Sequence, residues 1–207
     1  MPPTGLSSLT QLGYVGVDGA RTRLLGREWK IGSSGNPDSM PDIVRGYMGT
    51  HDSTLFLIER DTNRNVCHYQ VNLTESGEVD AGRPVVAEWF MVAEDADLDN
   101  LDPFEYEMTG ESPVHTEGLT MLEKTVYGVK TMGPTQFTVN ALRGEIFTLR
   151  RRGDGWCACV SIGGTEWVLN RVMLHTSFGF TGPRVDEIHL EVMTPAGEMA
   201  QFFYSNQ

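Results

Sequence analysis

The sequence predicts a mainly β fold: a β-sandwich or a partly closed antiparallel barrel with one short helix, preceded by an extended N-terminal arm. After residue 50, short apolar segments recur with a spacing of roughly 8–12 residues, which is typical of sandwiches and barrels. Turn-like sequences rich in Gly, Asp and Thr separate these segments. Residues 1–50 instead combine Gly, Pro and Ser with almost no sustained periodicity. We therefore divide the chain into an arm, residues 1–50, and a single β domain, residues 51–207.

The arm has a composition that cannot bury enough apolar surface to fold alone. Its large side chains are scattered among glycines, which suits a segment that lies across a surface of its own domain or of a partner. Seven of these side chains are therefore predicted to bind a protein partner: Leu12, Tyr14, Leu24, Leu25, Trp29, Ile43 and Tyr47.

Two strands, 54–60 and 66–73, are predicted to open the β domain, joined by the polar sequence DTNRN. This sequence places Asp61, Asn63 and Asn65 on alternate positions, where they could bind a cation or a sugar, or orient a nucleophile. The simpler interpretation is a turn in which Asn and Asp side chains bond to backbone N–H groups. The next strand, 85–93, is apolar nearly throughout, so we place it centrally in the sheet.

The segment 94–111 carries eight acidic residues and no basic residue. The alternating aspartates at its start resemble a calcium-binding loop. An EF-hand loop that starts at Asp95 would need Gly where Asn100 stands and Glu where Tyr106 stands, so at most an irregular calcium site is left. A solvated loop, or a docking surface for a basic partner, is the favoured interpretation.

One helix is predicted in the sequence LTMLEKTVYGV. Thr120 and Glu123 form a capping box at its start, and Gly128 can end it. Six further strands are predicted after this helix, separated by turn-like sequences: 136–141, 146–150, 156–162, 166–175, 184–193 and 199–204.

Five segments of the β domain occur in an order that resembles a known family: LFLIERDTNRNVCHYQVNL, RPVVAEWFM, GLTMLEKTVYGV, WCACVSIGGTEWVLNRVML and PRVDEIHLEV. The family is the one catalogued as domain of unknown function 4833. The resemblance covers residues 53–193 and excludes the arm. Since the family has no established activity, the resemblance implies a domain but no catalytic residues and no cofactor.

The net charge of −12 argues against nucleic acid as a partner, because its phosphates need clustered Lys and Arg, and equally against an anionic membrane surface. No apolar run approaches the ~18–20 residues of a membrane span. The first residues do not have the charged n-region and apolar h-region of a secretory signal. These features predict an intracellular protein in a reducing compartment, with the cytoplasm or a cilium favoured over an organelle.

The residues that could carry catalysis form no recognisable constellation. Cys67 and His68 are adjacent, so a strand would point them to opposite faces and exclude a dyad between them. Cys157 and Cys159 would share a face, but no second Cys/His pair completes a zinc site, and buried apolar thiols are the simpler interpretation. The sequence therefore predicts no catalytic residue, no metal site and no cofactor.

These observations favour a non-catalytic structural or accessory subunit of a larger assembly, anchored by its arm, for example in the cytoskeleton or in a large organellar complex of a protist. One alternative is a lipocalin-like binder of a small apolar ligand, with aromatic side chains such as Trp89, Phe137 and Phe147 along a cavity. A second alternative is an uncharacterised enzyme that uses Cys67 or a pair of carboxylates.

Overall fold

A computed structural model of the chain describes residues 10–15, 22–24, 27–29, 53–61, 65–92, 114–142, 145–153, 155–179, 182–194 and 199–205. In this part of the chain strands dominate, and they form a nearly closed, barrel-like sheet with one α-helix, which confirms the predicted fold class. Within the same ranges, no helix combines the length and the apolar character needed to cross a membrane. The strands are β1 (Thr10–Val15), β2 (Thr22–Leu24), β3 (Arg27–Trp29), β4 (Thr54–Arg60), β5 (Val66–Val71), β6 (Val85–Val92), β7 (Val114–Gly118), β8 (Val129–Gly133), β9 (Gln136–Val139), β10 (Phe147–Arg152), β11 (Gly155–Ile162), β12 (Thr165–Gly179), β13 (Gly182–Met193) and β14 (Met199–Ser205).

The long strand β12 joins the two parts of the sheet. Nine strands follow one another in the order β7-β6-β5-β4-β12-β11-β10-β9-β8. One edge of β12 pairs antiparallel with β11 and then, from Arg171 to Leu174, parallel with β4. The other edge pairs with β13, which continues through β14 to β1. The strand β12 is therefore where chain segments distant in sequence meet.

All nine strands predicted for the β domain are present, with ends that differ by a few residues. No strand is predicted at the positions of β7 and β8, which are the two ends of the sheet order and have the polar sequences VHTEG and VKTMG. The β11–β12 hairpin turns at Gly163 and Gly164, whose φ values are +60° and +82°. Two successive positive φ angles are those of a type I′ turn, which glycine adopts without strain.

Part of the predicted arm is described, and it forms short extended strands there. β1 pairs antiparallel with β14 of the same chain, and β2 pairs with β3 in a separate two-stranded sheet. The N-terminal strand thus extends the main sheet at the β14 edge.

The core contains a stack of aromatic rings between two parts of the sheet. Phe56 of β4 stacks on Tyr69 of β5 with ring centroids 4.4 Å apart. The ring centroids of its other neighbours, Phe137 of β9 and Phe147 of β10, lie 6.3 and 6.0 Å from that of Phe56. The four side chains are only 0–1% exposed. This stack joins β4 and β5 to β9 and β10, which are distant in the sheet order.

The predicted capping of the helix, α1 (Met121–Tyr127), is confirmed. The Glu123 N–H donates to Thr120 Oγ1, and the Thr120 N–H donates to the Glu123 carboxylate at 2.8 Å. Gly128 ends the helix, with its N–H donating to the Lys124 carbonyl. The last carbonyl of the helix, that of Tyr127, accepts a hydrogen bond from the buried Tyr69 hydroxyl at 2.8 Å. This bond attaches α1 to the core.

Candidate functional site

The sheet has a second face, opposite the aromatic stack, which carries polar side chains on β4, β12 and β13. Core residues such as Val172 and Leu190 alternate along these strands with residues of this face. At the end of β4 the Asp61 N–H donates to the Leu174 carbonyl at 3.1 Å, which extends the parallel pairing by one residue. Three directly paired positions of β12 and β13 lie on this face, and all of their residues except Met173 are polar: Arg171 with Glu191, Met173 with His189, and His175 with Glu187.

Four side chains of this face form a linear series of close polar contacts, which we call the His175–His189 cluster: Asp61, His175, His189 and Glu187. Asp61 Oδ2 lies 3.0 Å from His175 Nδ1. His175 Nε2 lies 3.2 Å from His189 Nδ1, and His189 Nε2 lies 3.2 Å from Glu187 Oε2. Each imidazole therefore has a carboxylate at its outer nitrogen and the other imidazole at its inner nitrogen.

Backbone irregularity and ring packing hold the His175–His189 cluster in place. A register shift between His175 and Thr176 lets the Thr176 N–H donate to Asp61 Oδ1 at 3.1 Å. Asp61 is thereby fixed by β12 at both carboxylate oxygens. The His189 ring packs edge-on against Phe203 of β14, with centroids 4.8 Å apart. The orientation of each ring is thus set by a carboxylate and, for His189, by an aromatic neighbour.

The geometry of the cluster limits where its protons can lie. Where the two carboxylates act as acceptors, His175 donates from Nδ1 and His189 donates from Nε2. The two inner nitrogens, 3.2 Å apart, are then joined either by a third proton on one ring or by a cation that both nitrogens bind. The arrangement can therefore transfer protons between four groups or bind a metal ion.

Two carboxylates and an arginine lie on the same face beside this cluster. Glu59 forms a salt bridge with Arg171, and their side chains are 14% and 12% exposed. Asn170 Nδ2 donates to Glu191 Oε1 at 2.6 Å. Burial raises the pKa of both Glu59 and Glu191, even though Arg171 favours their charged forms. The loss of hydration therefore outweighs the attraction of the arginine at both carboxyls.

Glu191 and Gln201 are directly opposite residues on the paired strands β13 and β14. Within the described ranges, neither Glu191 Oε2 nor Gln201 Oε1 has a hydrogen-bond donor, and both atoms are buried. A proton on Glu191, or an amide in its place, turns a buried acceptor that has no donor into a donor, and the opposite residue Gln201 has a buried acceptor. The buried acceptor is a second reason why the neutral form of Glu191 suits the fold.

Replacing Glu191 with glutamine is expected to raise the free energy of unfolding at pH 7 by about 1 kcal/mol, the net value of a typical hydrogen bond. The pKa of Glu191 in the folded protein is raised above its ordinary value of 4.5. The wild-type protein therefore loses stability as the pH rises from below 4.5 through the folded-state pKa. Urea unfolding at pH 7 and at pH 4 measures the effect.

The gain from Glu191→Gln is expected to shrink at pH 4, where the wild-type carboxyl is largely protonated in both states. Glu75→Gln, at an exposed position, serves as the control that changes the net charge alone. A lower stability of Glu191→Gln than of wild type at pH 7 would show that the charged carboxylate is needed.

Cys67 and His68 point to opposite faces, as the sequence predicted. Cys67 lies in the aromatic core beside Tyr69, whereas His68 contacts Thr54 Oγ1 at 3.0 Å and the Gln70 amide at 3.2 Å on the second face. Burial raises the pKa of the Cys67 thiol to about 12. The thiol is therefore protonated at neutral pH, which is the unreactive form of cysteine.

Cys157 and Cys159 share one face of β11, with their sulfurs 3.8 Å apart. Burial, followed by the neighbouring Cys157, raises the pKa of Cys159 to about 12. Both residues are buried with Val168 and Met193 packed against them. These observations agree with the interpretation of the pair as apolar thiols.

Native Cys67 is expected to resist alkylation by iodoacetamide at pH 7.5 and to react fully once the protein is unfolded in urea. Buried cysteines with a raised pKa present neither an accessible sulfur nor a thiolate. Peptide mass spectrometry after timed labelling measures the modified fraction at Cys67 and at the other cysteines separately. Rapid labelling of Cys67 in the folded protein would favour the enzyme alternative.

The structure places only some of the residues that the sequence predicts to be functional. Asp61 does more than shape a turn, because it contacts β12 across the sheet. Asn63, the acidic segment 94–111 and three of the predicted partner-binding residues lie outside the described residues. The predicted partner-binding residues are placed as follows: Leu12 and Tyr14 in β1, Leu24 in β2 and Trp29 in β3, with Leu25, Ile43 and Tyr47 outside the described residues.

The histidine pair is not among the sites predicted from the sequence. His175 and His189 are 14 residues apart, and Asp61 lies 114 residues before His175. One local signal was available, because Glu187 and His189 occupy alternate positions of the predicted strand 184–193 and so share a face.

Part of the chain matches the model of a known protein family. Residues 56–109 match the model of the family described as Domain of unknown function (DUF4833), in agreement with the resemblance noted in the sequence. The matched region begins in β4 and includes Glu59 and Asp61, while both histidines of the cluster lie after it. Among curated proteins and among solved structures, the comparisons find no match.

Proposed function

We propose that this protein is a non-catalytic structural or accessory subunit of a larger protein assembly, in which the β domain is a rigid body and the arm binds a neighbouring protein. The observation that supports this proposal best is the pairing of β1 with β14, from Thr10 opposite Ser205 to Val15 opposite Gln201. Addition of a strand to a sheet edge is a general mode of protein recognition, because main-chain hydrogen bonds provide affinity. An arm that contains such a strand is suited to linking two bodies.

The five predicted partner-binding residues that follow β1 in the chain are the proposed contacts with the neighbour. The acidic segment 94–111 is proposed as a second surface, suited to a basic partner. An intracellular, reducing location belongs to the same proposal and suits three cysteines that are free and buried. A cytoskeletal structure or a large organellar complex is the type of assembly proposed.

The described core is less suited to the two alternatives. Phe137 and Phe147, assigned to the wall of a cavity in the ligand-binding alternative, pack on each other with centroids 5.4 Å apart. Trp89, assigned to the same wall, packs on Tyr127 at 4.8 Å. The enzyme alternative relied on Cys67, whose raised pKa makes it a poor nucleophile.

The test uses the full-length protein, tagged in its native cells and separated by size-exclusion chromatography under non-denaturing conditions. The wild type is expected to elute with its partners, well above the 23.0 kDa of one chain. A variant with alanine at five arm positions after β1 is expected to elute as the isolated chain with an unchanged melting temperature. These positions are Leu24, Leu25, Trp29, Ile43 and Tyr47.

The matched control carries five alanine substitutions at exposed positions of the β domain and is expected to elute with the wild type. An arm variant that remains in the assembly at wild-type abundance would contradict the proposal. The control positions are Glu75, Glu78, Lys130, Thr131 and Gln136.

A further inference from the structure

We propose that the His175–His189 cluster is a binding site for one divalent transition-metal ion of the zinc type. His175, His189 and Glu187 would be its ligands, and Asp61 would orient His175. This inference is independent of the proposed role in an assembly, and it departs from the sequence-based expectation of no metal site. Three features of the cluster carry it: the ligand set, the spacing of the inner nitrogens and the Asp61 carboxylate behind His175.

The ligand set is that of a borderline metal ion. His175, Glu187 and His189 each offer one ligand atom, and these atoms all lie within 4.8 Å of one another. Two imidazoles with one carboxylate suit Zn²⁺ and its neighbours in the first transition series, whereas Mg²⁺ and Ca²⁺ prefer oxygen ligands alone. Three protein ligands leave one position of a tetrahedral ion for water or another molecule.

The inner nitrogens already have nearly the spacing that a bound ion requires. His175 Nε2 and His189 Nδ1 are 3.2 Å apart. Two nitrogens bound to tetrahedral zinc at ~2.0–2.1 Å are about 3.3–3.4 Å apart. The spacing of the two nitrogens therefore fits an ion of this type, with the two rings turned so that both lone pairs point at it.

His175 has the partner that a metal-binding histidine needs at its outer nitrogen. A ligating histidine usually donates its other N–H to a carboxylate, a carbonyl or water, which fixes the tautomer and raises the basicity of the ring. Asp61 fulfils this role for His175 at 3.0 Å and is itself held by the Thr176 N–H. Glu187 lies 3.2 Å from His189 Nε2 in this structure. When an ion binds at the inner nitrogens, Glu187 would turn from His189 Nε2 to the ion and take the third ligand position.

The surroundings favour a cation that can enter from solvent. Two carboxylates flank the rings, so a divalent ion would neutralise charge within a partly buried site. The side chains of His175 and Glu187 are 14% and 19% exposed, and that of Asp61 is 36% exposed. All three ligands lie on the paired strands β12 and β13, which hold them more rigidly than loops would.

The experiment is a titration of the full-length protein with Co²⁺, a spectroscopic substitute for Zn²⁺, followed by visible absorption. One equivalent is expected to bind with a d–d spectrum of nitrogen and oxygen ligation, and Zn²⁺ is expected to displace it while Mg²⁺ is not. His175→Ala and His189→Ala are expected to abolish stoichiometric binding. Asp61→Asn is expected to weaken it about 10–100-fold, the usual effect of losing a carboxylate partner of a ligand.

Two controls separate this site from others in the chain. His68→Gln removes a buried histidine from the same face of the sheet and is expected to leave Co²⁺ binding unchanged. Cys157→Ser tests the two cysteines of β11, whose ligation would give an intense sulfur-to-cobalt absorption in addition to the d–d bands. Loss of binding in Cys157→Ser, with binding retained in His175→Ala, would overturn the proposal.

A measurement on the wild type decides the question even if the alanine variants fail to fold. In the NMR spectrum of the Co²⁺ protein, each ligating imidazole is expected to give one exchangeable N–H resonance shifted far outside the normal range, so two are expected in total. The absence of stoichiometric Co²⁺ or Zn²⁺ binding at neutral pH, or a bound ion without these two resonances, would overturn the proposal.

Discussion

Replacing Phe56 with alanine is expected to lower the free energy of unfolding by about 3–5 kcal/mol, which is the range for truncating a buried aromatic residue. Its ring contacts those of Tyr69, Phe137 and Phe147 and is 1% exposed. Truncation removes apolar area from the core and leaves a cavity whose walls belong to four strands. Paired strands move little to fill such a cavity, so most of its volume is expected to persist. Equilibrium unfolding in urea, followed by tryptophan fluorescence, measures the loss.

The control for Phe56 is Phe178→Ala, because Phe178 is 82% exposed and lies at the far end of β12. Its replacement is expected to change stability by no more than about 0.5 kcal/mol. A loss smaller than about 1 kcal/mol in Phe56→Ala would mean that the rings of β4 and β5 do not hold β9 and β10 in the way described.

Replacing Arg171 with methionine is expected to destabilise the protein at pH 7 by about 3–5 kcal/mol, which is the cost of removing one partner from a buried ion pair. Arg171 is bonded to Glu59 and favours the charged form of Glu191, and burial already raises the pKa of both carboxyls. Methionine keeps much of the apolar stem, so the loss reports mainly on the uncompensated carboxylates.

The double variant Glu59→Gln with Arg171→Met is expected to recover most of the stability lost in Arg171→Met, because the amide carries no charge that needs a partner. The loss in the single variant is also expected to be smaller at pH 4 than at pH 7. Raised carboxyl pKa values make the folded state bind protons more tightly, so the penalty grows as pH rises. Equal losses at both pH values would contradict this account.

The sequence was a good guide to elements whose cause is local. The strand 85–93 and the hairpin turn at Gly163 and Gly164 are specified by neighbouring residues, and so is the capping box of Thr120 and Glu123. β7 and β8 were not predicted because their sequences have no alternation of apolar and polar residues. They become strands through their pairing with β6 and β9.

The candidate site was less predictable, because its parts meet only through the fold. The neighbours of Asp61 in the sequence predict only a turn, in which an aspartate is common. The contact of its carboxylate with His175, 114 residues later in the chain, depends on the fold. Glu187 and His189 could be placed on one face of a strand, but the position of His175 opposite Glu187 depends on the β12–β13 register and its irregularities.

The parallel pairing of β4 with β12 also constrains how the chain reaches this fold. β9 to β14 can pair successively as antiparallel neighbours with short loops, whereas Leu57 must find Arg171 across more than half of the sequence. Closing so long a loop costs conformational entropy before any of its contacts stabilises the fold. Proteins with many contacts between residues distant in sequence fold in roughly milliseconds to seconds. The docking of β4 is therefore expected to be a late step of folding, and it is this step that brings Asp61 to the histidine pair.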